Sequence, residues 1–285
     1  MIPYPVDYVR ATSVAHALAM LASERDAKLL SGGHSLLPLM KLRLASTPLL
    51  IDIGRLPELH GIEIHSDHIA IGAATSHAKL GDHSQLAELS PLFRMAASVI
   101  ADPTVRNRGT IGGSLVYADP SADWPAVMLA LDARMEITSA DGTRQVPADE
   151  FFVGFMTSAV QQDELLTRIL IPLPGPDRVA YRKFRHPSSG YAVAAAAVAL
   201  RYGGSICTGG MIGVTGVAET AFRARAAEIE LGHGFTGSAE EIARLVELAF
   251  GGTTPLEDGF ADGAYRIQLA KVMLSRALAD AVRQS

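Results

Sequence analysis

The chain has 285 residues, of which 48% are hydrophobic and 19% charged, as in ordinary folded proteins. Its net charge of −5 gives no general attraction for nucleic acid or an anionic membrane, so neither is an expected partner. The single cysteine, Cys207, excludes an internal disulfide and a cysteine-ligated iron–sulfur cluster held by this chain alone. We expect a cytoplasmic protein without a transmembrane segment, because no apolar run could cross a bilayer and no signal peptide is visible.

The first 55 residues or so predict a small α/β unit. Thr12 or Ser13 is placed to cap a helix that contains Val14, Leu18 and Leu21 at helical spacing. The rest of this unit is predicted as a strand at 28–31, a loop turning into a helix at 34–44, and a buried strand at 48–53.

The next 120 residues mix short strands with helices. Asp123 stands before Trp124-Pro125, where an acidic cap and an early proline are typical of a helix start. The predicted strands are 62–64, 68–73, 134–139 and 164–171, and the predicted helices are 91–100 and 123–133.

The proline-rich stretch at 172–176 (PLPGP) predicts a domain boundary near residue 175. Beyond it we expect strands at 181–184, 192–202 and 206–217, then helices at 238–250 and 265–282. The alanine-rich stretch at 192–202 fits a helix as well as a strand. The fold class is therefore α+β, with a first domain at 1–175, divided near residue 55, and a second at 176–285.

Two glycine loops are the candidate binding elements. The first is Leu29-Leu30-Ser31-Gly32-Gly33-His34-Ser35-Leu36, at the end of a strand, and the second is Thr110-Ile111-Gly112-Gly113-Ser114. Paired glycines let a ligand approach the main chain, whose N–H groups can hold an anion. A tight turn that requires positive φ accounts for the first pair equally well.

Neither loop matches a mononucleotide motif. The spacing is not G-x-G-x-x-G, and no glycine loop is followed by the lysine of a Walker sequence. Two separate loops of this kind indicate one long ligand with a polyanionic middle, a shape that a flavin dinucleotide has. Asp123 is placed to accept hydrogen bonds from ligand hydroxyls or simply to cap its helix.

No metal site is predicted. His60, His65 and His68 cluster in sequence, but in a polar hairpin without cysteine or HExxH spacing, so we expect them to face solvent.

The segments SGGHSLLPLMKLRL and VRNRGTIGGSLVYADPSADWPAVMLALDA closely resemble the FAD-binding medium subunits of molybdenum hydroxylases. Carbon monoxide dehydrogenase, quinoline oxidoreductase and nicotine dehydrogenase contain such subunits, and xanthine dehydrogenase has a more distant equivalent. The resemblance covers nearly the whole chain. It implies the FAD-binding fold of the vanillyl-alcohol oxidase type, in two α/β subdomains, followed by a C-terminal domain with a small antiparallel sheet and helices.

The resemblance also implies a place in an electron relay. A large molybdenum-cofactor subunit hydroxylates the substrate, and a small iron–sulfur subunit passes the electrons to FAD in this chain, which delivers them to an external acceptor. The expected assembly is a dimer of heterotrimers. No catalytic acid or base is expected in this chain, because the redox chemistry belongs to the cofactor.

By the same resemblance, both loops hold the pyrophosphate through main-chain N–H groups, and Asp123 is the acidic FAD ligand. The other residues that the resemblance places at the cofactor are Ile100, Leu166, Lys183 and Tyr191. Lys183 is expected to stabilise negative charge on the reduced flavin. Ser114 departs from the family, which usually has asparagine there.

Two alternatives remain open at this point. Some standalone oxidases of this fold link FAD covalently to a histidine in a similar GGH context, which here would be His34. A non-catalytic assembly subunit that has lost FAD is the other. The substrate and the electron acceptor do not follow from this sequence.

Overall fold

The computed structural model describes residues 2–284. Its N-terminal unit is a parallel three-stranded sheet of order β1-β3-β2 with two helices. The elements are β1 (Asp7–Arg10), α1 (Val14–Ser23), β2 (Lys28–Leu30), α2 (Leu36–Lys41) and β3 (Leu49–Asp52). Ser13 caps α1, as its position before the apolar pattern predicts, by accepting a hydrogen bond from the His16 N–H.

The second unit is an antiparallel five-stranded sheet of order β4-β5-β10-β6-β7, with helices inserted between its strands. A short 3₁₀ helix, Pro57–Leu59, leads into it. Its elements are β4 (Ile62–Ile64), β5 (His68–Gly72), α3 (His77–Asp82), α4 (Ser84–Leu89), α5 (Leu92–Val99), α6 (Pro103–Arg108), α7 (Ile111–Tyr117), α8 (Asp123–Ala130), β6 (Arg134–Ser139), β7 (Gly142–Pro147), α9 (Ala148–Phe151), β8 (Phe152–Gly154), β9 (Thr157–Ser158) and β10 (Leu165–Pro172).

The third unit is an antiparallel four-stranded sheet covered by helices. Its elements are β11 (Arg178–Arg185), β12 (Ala192–Gly203), β13 (Ile206–Thr215), β14 (Phe222–Arg223), α10 (Arg225–Leu231), α11 (Ala239–Ala249) and α12 (Gly263–Val282). The mixed helix–strand architecture and the small C-terminal antiparallel sheet confirm the predicted fold class.

The alanine-rich segment is a strand that pairs with β11 and β13, and both of its faces are buried. Ala195, Ala197 and Ala199 belong to the core that reaches into the second unit, whereas Ala196 and Val198 belong to the core under α12. This alternation has the period of two that a strand imposes. Small side chains let helices approach the strand closely from both sides.

The structure differs from the sequence prediction around the second glycine loop. Residues from Ile111 form the helix α7, and α6 precedes it with Asp102 as its N-cap. Helix α8 ends at Ala130 rather than at residue 133. These helices are about two turns long or shorter, so their apolar patterns are too brief to predict them against the glycines and prolines that they contain.

Helix α8 joins the second unit to the third by packing on β12 and β13. The contact with β13 is very close at Gly213, where a Cβ atom would lie 2.0 Å from the Ala126 carbonyl oxygen. The main chain of α8 therefore lies directly on the sheet, with no room for a side chain between them.

We expect Gly213→Ala to destabilise the protein by about 1–3 kcal/mol or more, because the added methyl group forces α8 away from β13. Thermal unfolding followed by circular dichroism measures the effect. Gly259→Ala is the control, since a Cβ atom there meets nothing within 4 Å. An equal shift in both variants would show that the contact of α8 with the sheet does not limit stability.

Candidate functional site

A cavity of about 660 Å³ lies where the three units meet. This volume is in the range of cofactor and ligand sites. Of the residues predicted for the site, all but Ile111 and Lys183 line it, namely Leu29, Leu30, Ser31, Gly32, Gly33, His34, Ser35, Leu36, Ile100, Thr110, Gly112, Gly113, Ser114, Asp123, Leu166 and Tyr191. Ile111 is fully buried in the core, and Lys183 lies behind Asp123.

The two glycine loops are in direct contact. A Cβ atom on Gly32 would lie 2.4 Å from the Arg108 carbonyl oxygen and 2.9 Å from Gly109 Cα. Ser31 Oγ and Thr110 Oγ1 are hydrogen-bonded at 3.1 Å. Gly32 is therefore needed for the approach of one loop to the other, a reason that the sequence alone did not show.

The first loop offers main-chain donors. Among residues 2–284, no acceptor receives a hydrogen bond from the N–H groups of Gly32, Gly33, His34 and Ser35. Gly33 has φ of 75°, in the region where glycine avoids the strain of a side chain. Both explanations offered for this glycine pair thus hold: the turn requires positive φ, and successive N–H groups remain available for an anion.

The second loop differs from the expectation of free main-chain donors. The N–H groups of Ile111 and Gly112 donate to the carbonyl oxygens of Thr75 and Ala73 at 3.0 and 2.8 Å. The Gly113 N–H donates to Thr110 Oγ1, which caps α7. The expectation failed because the glycines begin a helix that is docked on β5 and its extension, which satisfies those donors.

Asp123 is buried in an ion pair beside the cavity. Lys183 Nζ donates to Asp123 Oδ2 at 2.8 Å and to the Val99 carbonyl oxygen at 3.3 Å, and Tyr181 Oη donates to Asp123 Oδ1 at 2.6 Å. Burial raises the pKa of the Asp123 carboxyl, and the Lys183 ammonium opposes that effect. Asp123 does not cap α8, since Ala122 holds the N-cap position.

His77 also lines the cavity, although no sequence motif marks it. Its side chain is buried, and Trp124 Nε1 donates to its Nδ1 at 2.9 Å. Burial, with the nearby His34 and Arg106, lowers the pKa of His77 to about 4. The ring is therefore neutral at pH 7 and carries its proton on Nε2.

Tyr191 enters the cavity wall from the loop between β11 and β12, next to Ser189 and Gly190. Its pKa is raised to about 12, chiefly by burial. His34 is exposed at the cavity edge. Further lining residues that the sequence did not indicate include Tyr117, Asp119 and the segment around Gln161, which carry no motif.

Residues 2–284 contain no cluster of three or more histidine, cysteine, aspartate or glutamate side chains arranged to hold a metal ion. His65 and His68 stack at 4.4 Å, and His60 is half-buried with its Nε2 3.1 Å from the Gly54 carbonyl oxygen. The expectation that all three face solvent is thus wrong for His60, which packs under the turn before β4.

No helix within residues 2–284 is both long enough and apolar enough to cross a bilayer.

Comparison with known proteins adds to this geometry. Residues 4–174 match the model of the FAD binding domain in molybdopterin dehydrogenase, and residues 179–281 match the CO dehydrogenase flavoprotein C-terminal domain. The chain belongs to the family of FAD-binding medium subunits of molybdenum hydroxylases. The family membership confirms the resemblance seen in the sequence, and its members are oxidoreductase subunits.

Similar family members match over nearly their full length. The carbon monoxide dehydrogenase medium chain of Afipia carboxidovorans is 40% identical over 98% of this chain and 97% of its own. The 6-hydroxypseudooxynicotine dehydrogenase complex subunit alpha of Paenarthrobacter nicotinovorans is 39% identical over 100% and 97%.

Solved structures of family members have the same fold. The reconstituted CO dehydrogenase from Oligotropha carboxidovorans superposes with a TM-score of 0.96 at 39% identity and covers 100% of both chains. Quinoline 2-oxidoreductase from Pseudomonas putida 86 has a TM-score of 0.94 at 31% identity, with 99% of each chain covered.

We expect Lys183→Met to destabilise the chain by about 3–5 kcal/mol, because it leaves Asp123 as an uncompensated buried charge. The double variant Asp123→Asn/Lys183→Met should recover most of that loss, since the pair is removed together. Urea unfolding of the four proteins of this double-mutant cycle measures the coupling. Independent, additive effects of the two substitutions would contradict the buried pair.

His77 should make stability depend on pH. Its pKa is about 4 in the folded chain and 6.5 in the unfolded one, so the unfolded chain takes up the proton first as the pH falls. The contribution is complete above pH 6.5 and is lost between 6.5 and 4, by about 3 kcal/mol. His77→Asn lacks this titration, so the stability difference between wild type and variant should shift over that pH range. A difference that stays constant from pH 7 to 4 would contradict the neutral, buried ring.

Proposed function

We propose that FAD binds in the cavity at the contact of the two glycine loops, and that the chain carries electrons from an iron–sulfur partner subunit to an external acceptor. The observation that supports this most directly is the convergence of the two loops, some 80 positions apart in sequence, on the wall of one cavity. A dinucleotide is long enough to contact two separate loops, and family membership supports FAD as the occupant.

The residues present fit this group in charge and shape. Four successive N–H groups in the first loop, from Gly32 to Ser35, would hold the pyrophosphate. Side-chain hydroxyls would supply further polar contacts, from Ser31 in the first loop and from Thr110 and Ser114 in the second. Asp123, whose oxygens already accept one hydrogen bond each, would accept a further one from a cofactor hydroxyl.

When bound, FAD would supply the one- and two-electron redox chemistry that no amino-acid side chain here provides. The protein's own contribution is to orient the ring and keep the site rigid. Tyr191 would lie beside the isoalloxazine, with Ile100 and Leu166 excluding water. Lys183 contacts Asp123 and not the cavity, so its positive charge would act on the cofactor through that carboxylate.

The proposed partners are a large subunit with the molybdenum cofactor and a small subunit with iron–sulfur clusters, assembled as a dimer of heterotrimers in the cytoplasm. The single cysteine supports this division of labour, because the chain alone cannot supply the thiolate ligands of a cluster. Similar family members are medium chains or subunits of such complexes, for example the nicotine 6-hydroxylase medium subunit of Paenarthrobacter nicotinovorans, 32% identical over 97% of this chain.

The absorption spectrum of the tagged full-length chain, purified with any subunits it retains, tests this function. We expect flavin bands, and we expect acid precipitation to release the flavin into the supernatant as FAD. Gly32→Ala should bind FAD at least about tenfold more weakly, because the loops can no longer meet and donors to the pyrophosphate are displaced. Gly259→Ala, with an open Cβ position, should retain wild-type flavin.

Other outcomes would separate the alternatives. Flavin that stays with the acid pellet would indicate a covalent link, for which His34 is the candidate at the cavity edge, and would favour a standalone oxidase. A colourless protein that takes up no added FAD, even with its partner subunits attached, would contradict the proposal and favour a non-catalytic assembly subunit.

A further inference from the structure

His77 is a buried side chain whose ring has one satisfied and one unsatisfied nitrogen. Only 6% of the residue is exposed. On one edge of the ring, Trp124 Nε1 donates to Nδ1 at 2.9 Å. The indole nitrogen can only donate, so Nδ1 must be the unprotonated acceptor and the proton of the neutral ring must lie on Nε2.

This orientation is held rigidly. Trp124 is fully buried and packs against Phe93, with ring centroids 5.7 Å apart. Trp124 lies in α8, and the His77 main-chain N–H donates to the Gly109 carbonyl oxygen at 3.0 Å. The ring is thus fixed from the core side and from the second glycine loop.

The opposite edge of the ring reaches the contact of the two loops. A Cβ atom on Gly109 would lie 2.8 Å from His77 Nε2, and Gly109 Cα would itself lie 2.9 Å from a Cβ atom on Gly32. His77 lines the cavity here, and within residues 2–284 Nε2 donates to no acceptor. An N–H group on a cavity wall that has no protein acceptor is available to an acceptor of a bound ligand.

We propose that His77 is a direct cofactor-binding residue, whose Nε2–H donates to a pyrophosphate oxygen of the bound dinucleotide at the contact of the two loops. This inference rests on the proposed FAD binding and names a further residue of that site. An anionic acceptor fits because the first-loop residues with free N–H groups line the same cavity as His77. Trp124 acts as the positioning residue that fixes the donor on Nε2.

The test compares FAD binding by the full chain after the flavin has been removed and added back. His77→Asn keeps an acceptor for Trp124 but has no donor at the position of Nε2, so the Kd for FAD should rise about 10- to 100-fold. His77→Gln extends an amide N–H to that position and should recover most of the affinity. The ³¹P resonances of bound FAD should shift in the asparagine variant.

Equal FAD affinity and unchanged ³¹P resonances in wild type and His77→Asn would overturn the inference while leaving the proposed function intact. Failure of the wild-type chain to bind FAD would overturn both. If His77→Asn does not fold, the wild-type imidazole decides: ¹⁵N-edited NMR should show a proton on Nε2 that moves downfield when FAD is added. An unchanged Nε2–H resonance in FAD-bound protein would overturn the inference without any variant.

Discussion

The direct contact of two main-chain segments, at Gly32 and at Arg108–Gly109, is the constraint on which the site depends. Any side chain at position 32 would overlap the Arg108 carbonyl oxygen, so the loops meet only because one of them has no Cβ. The hydroxyls of Ser31 and Thr110 then bond across the contact. One loop belongs to the parallel sheet and the other to helices of the second unit, so this contact fixes the two units around the cavity.

Small residues also allow close packing in the third unit. The alanines of β12 present small side chains to both faces, so α8 and α12 approach the sheet from opposite sides. Since α8 contains Asp123 and Trp124, its packing on the sheet determines where both side chains lie. The buried pair of Asp123 with Lys183 on β11 links the two units by charge at the same place.

Position 175 is the predicted domain boundary, yet the core is continuous across it, with Tyr181 and Ala195 packed among residues of the second unit.

Much of this could be predicted from sequence because the signals are local. The strand before the first loop, the helix after it, the cap at Ser13 and the paired glycines each fall within a few residues, and periodicity or turn chemistry indicates them. What stayed hidden depends on distant neighbours. His77 is recognisable only through Trp124, 47 positions away, and Tyr181 only through Asp123, 58 positions away. The helical assignment of the alanine strand could be rejected only once both faces were seen to be buried.

The two loops differ in whether their main-chain N–H groups are free, although their sequences are similar. In the second loop, the N–H groups of Ile111, Gly112 and Gly113 donate to acceptors of the protein. The bonds from Ile111 and Gly112 hold α7 against the extension of β5. The N–H groups of the first loop from Gly32 to Ser35 have no acceptor among residues 2–284, and Gly33 there has positive φ. One loop is therefore a rigid support and the other a set of donors. A neutral histidine fixed between them adds a donor without adding charge. Such a site can hold an anionic group while the charge of the buried Lys183 ammonium stays balanced by Asp123.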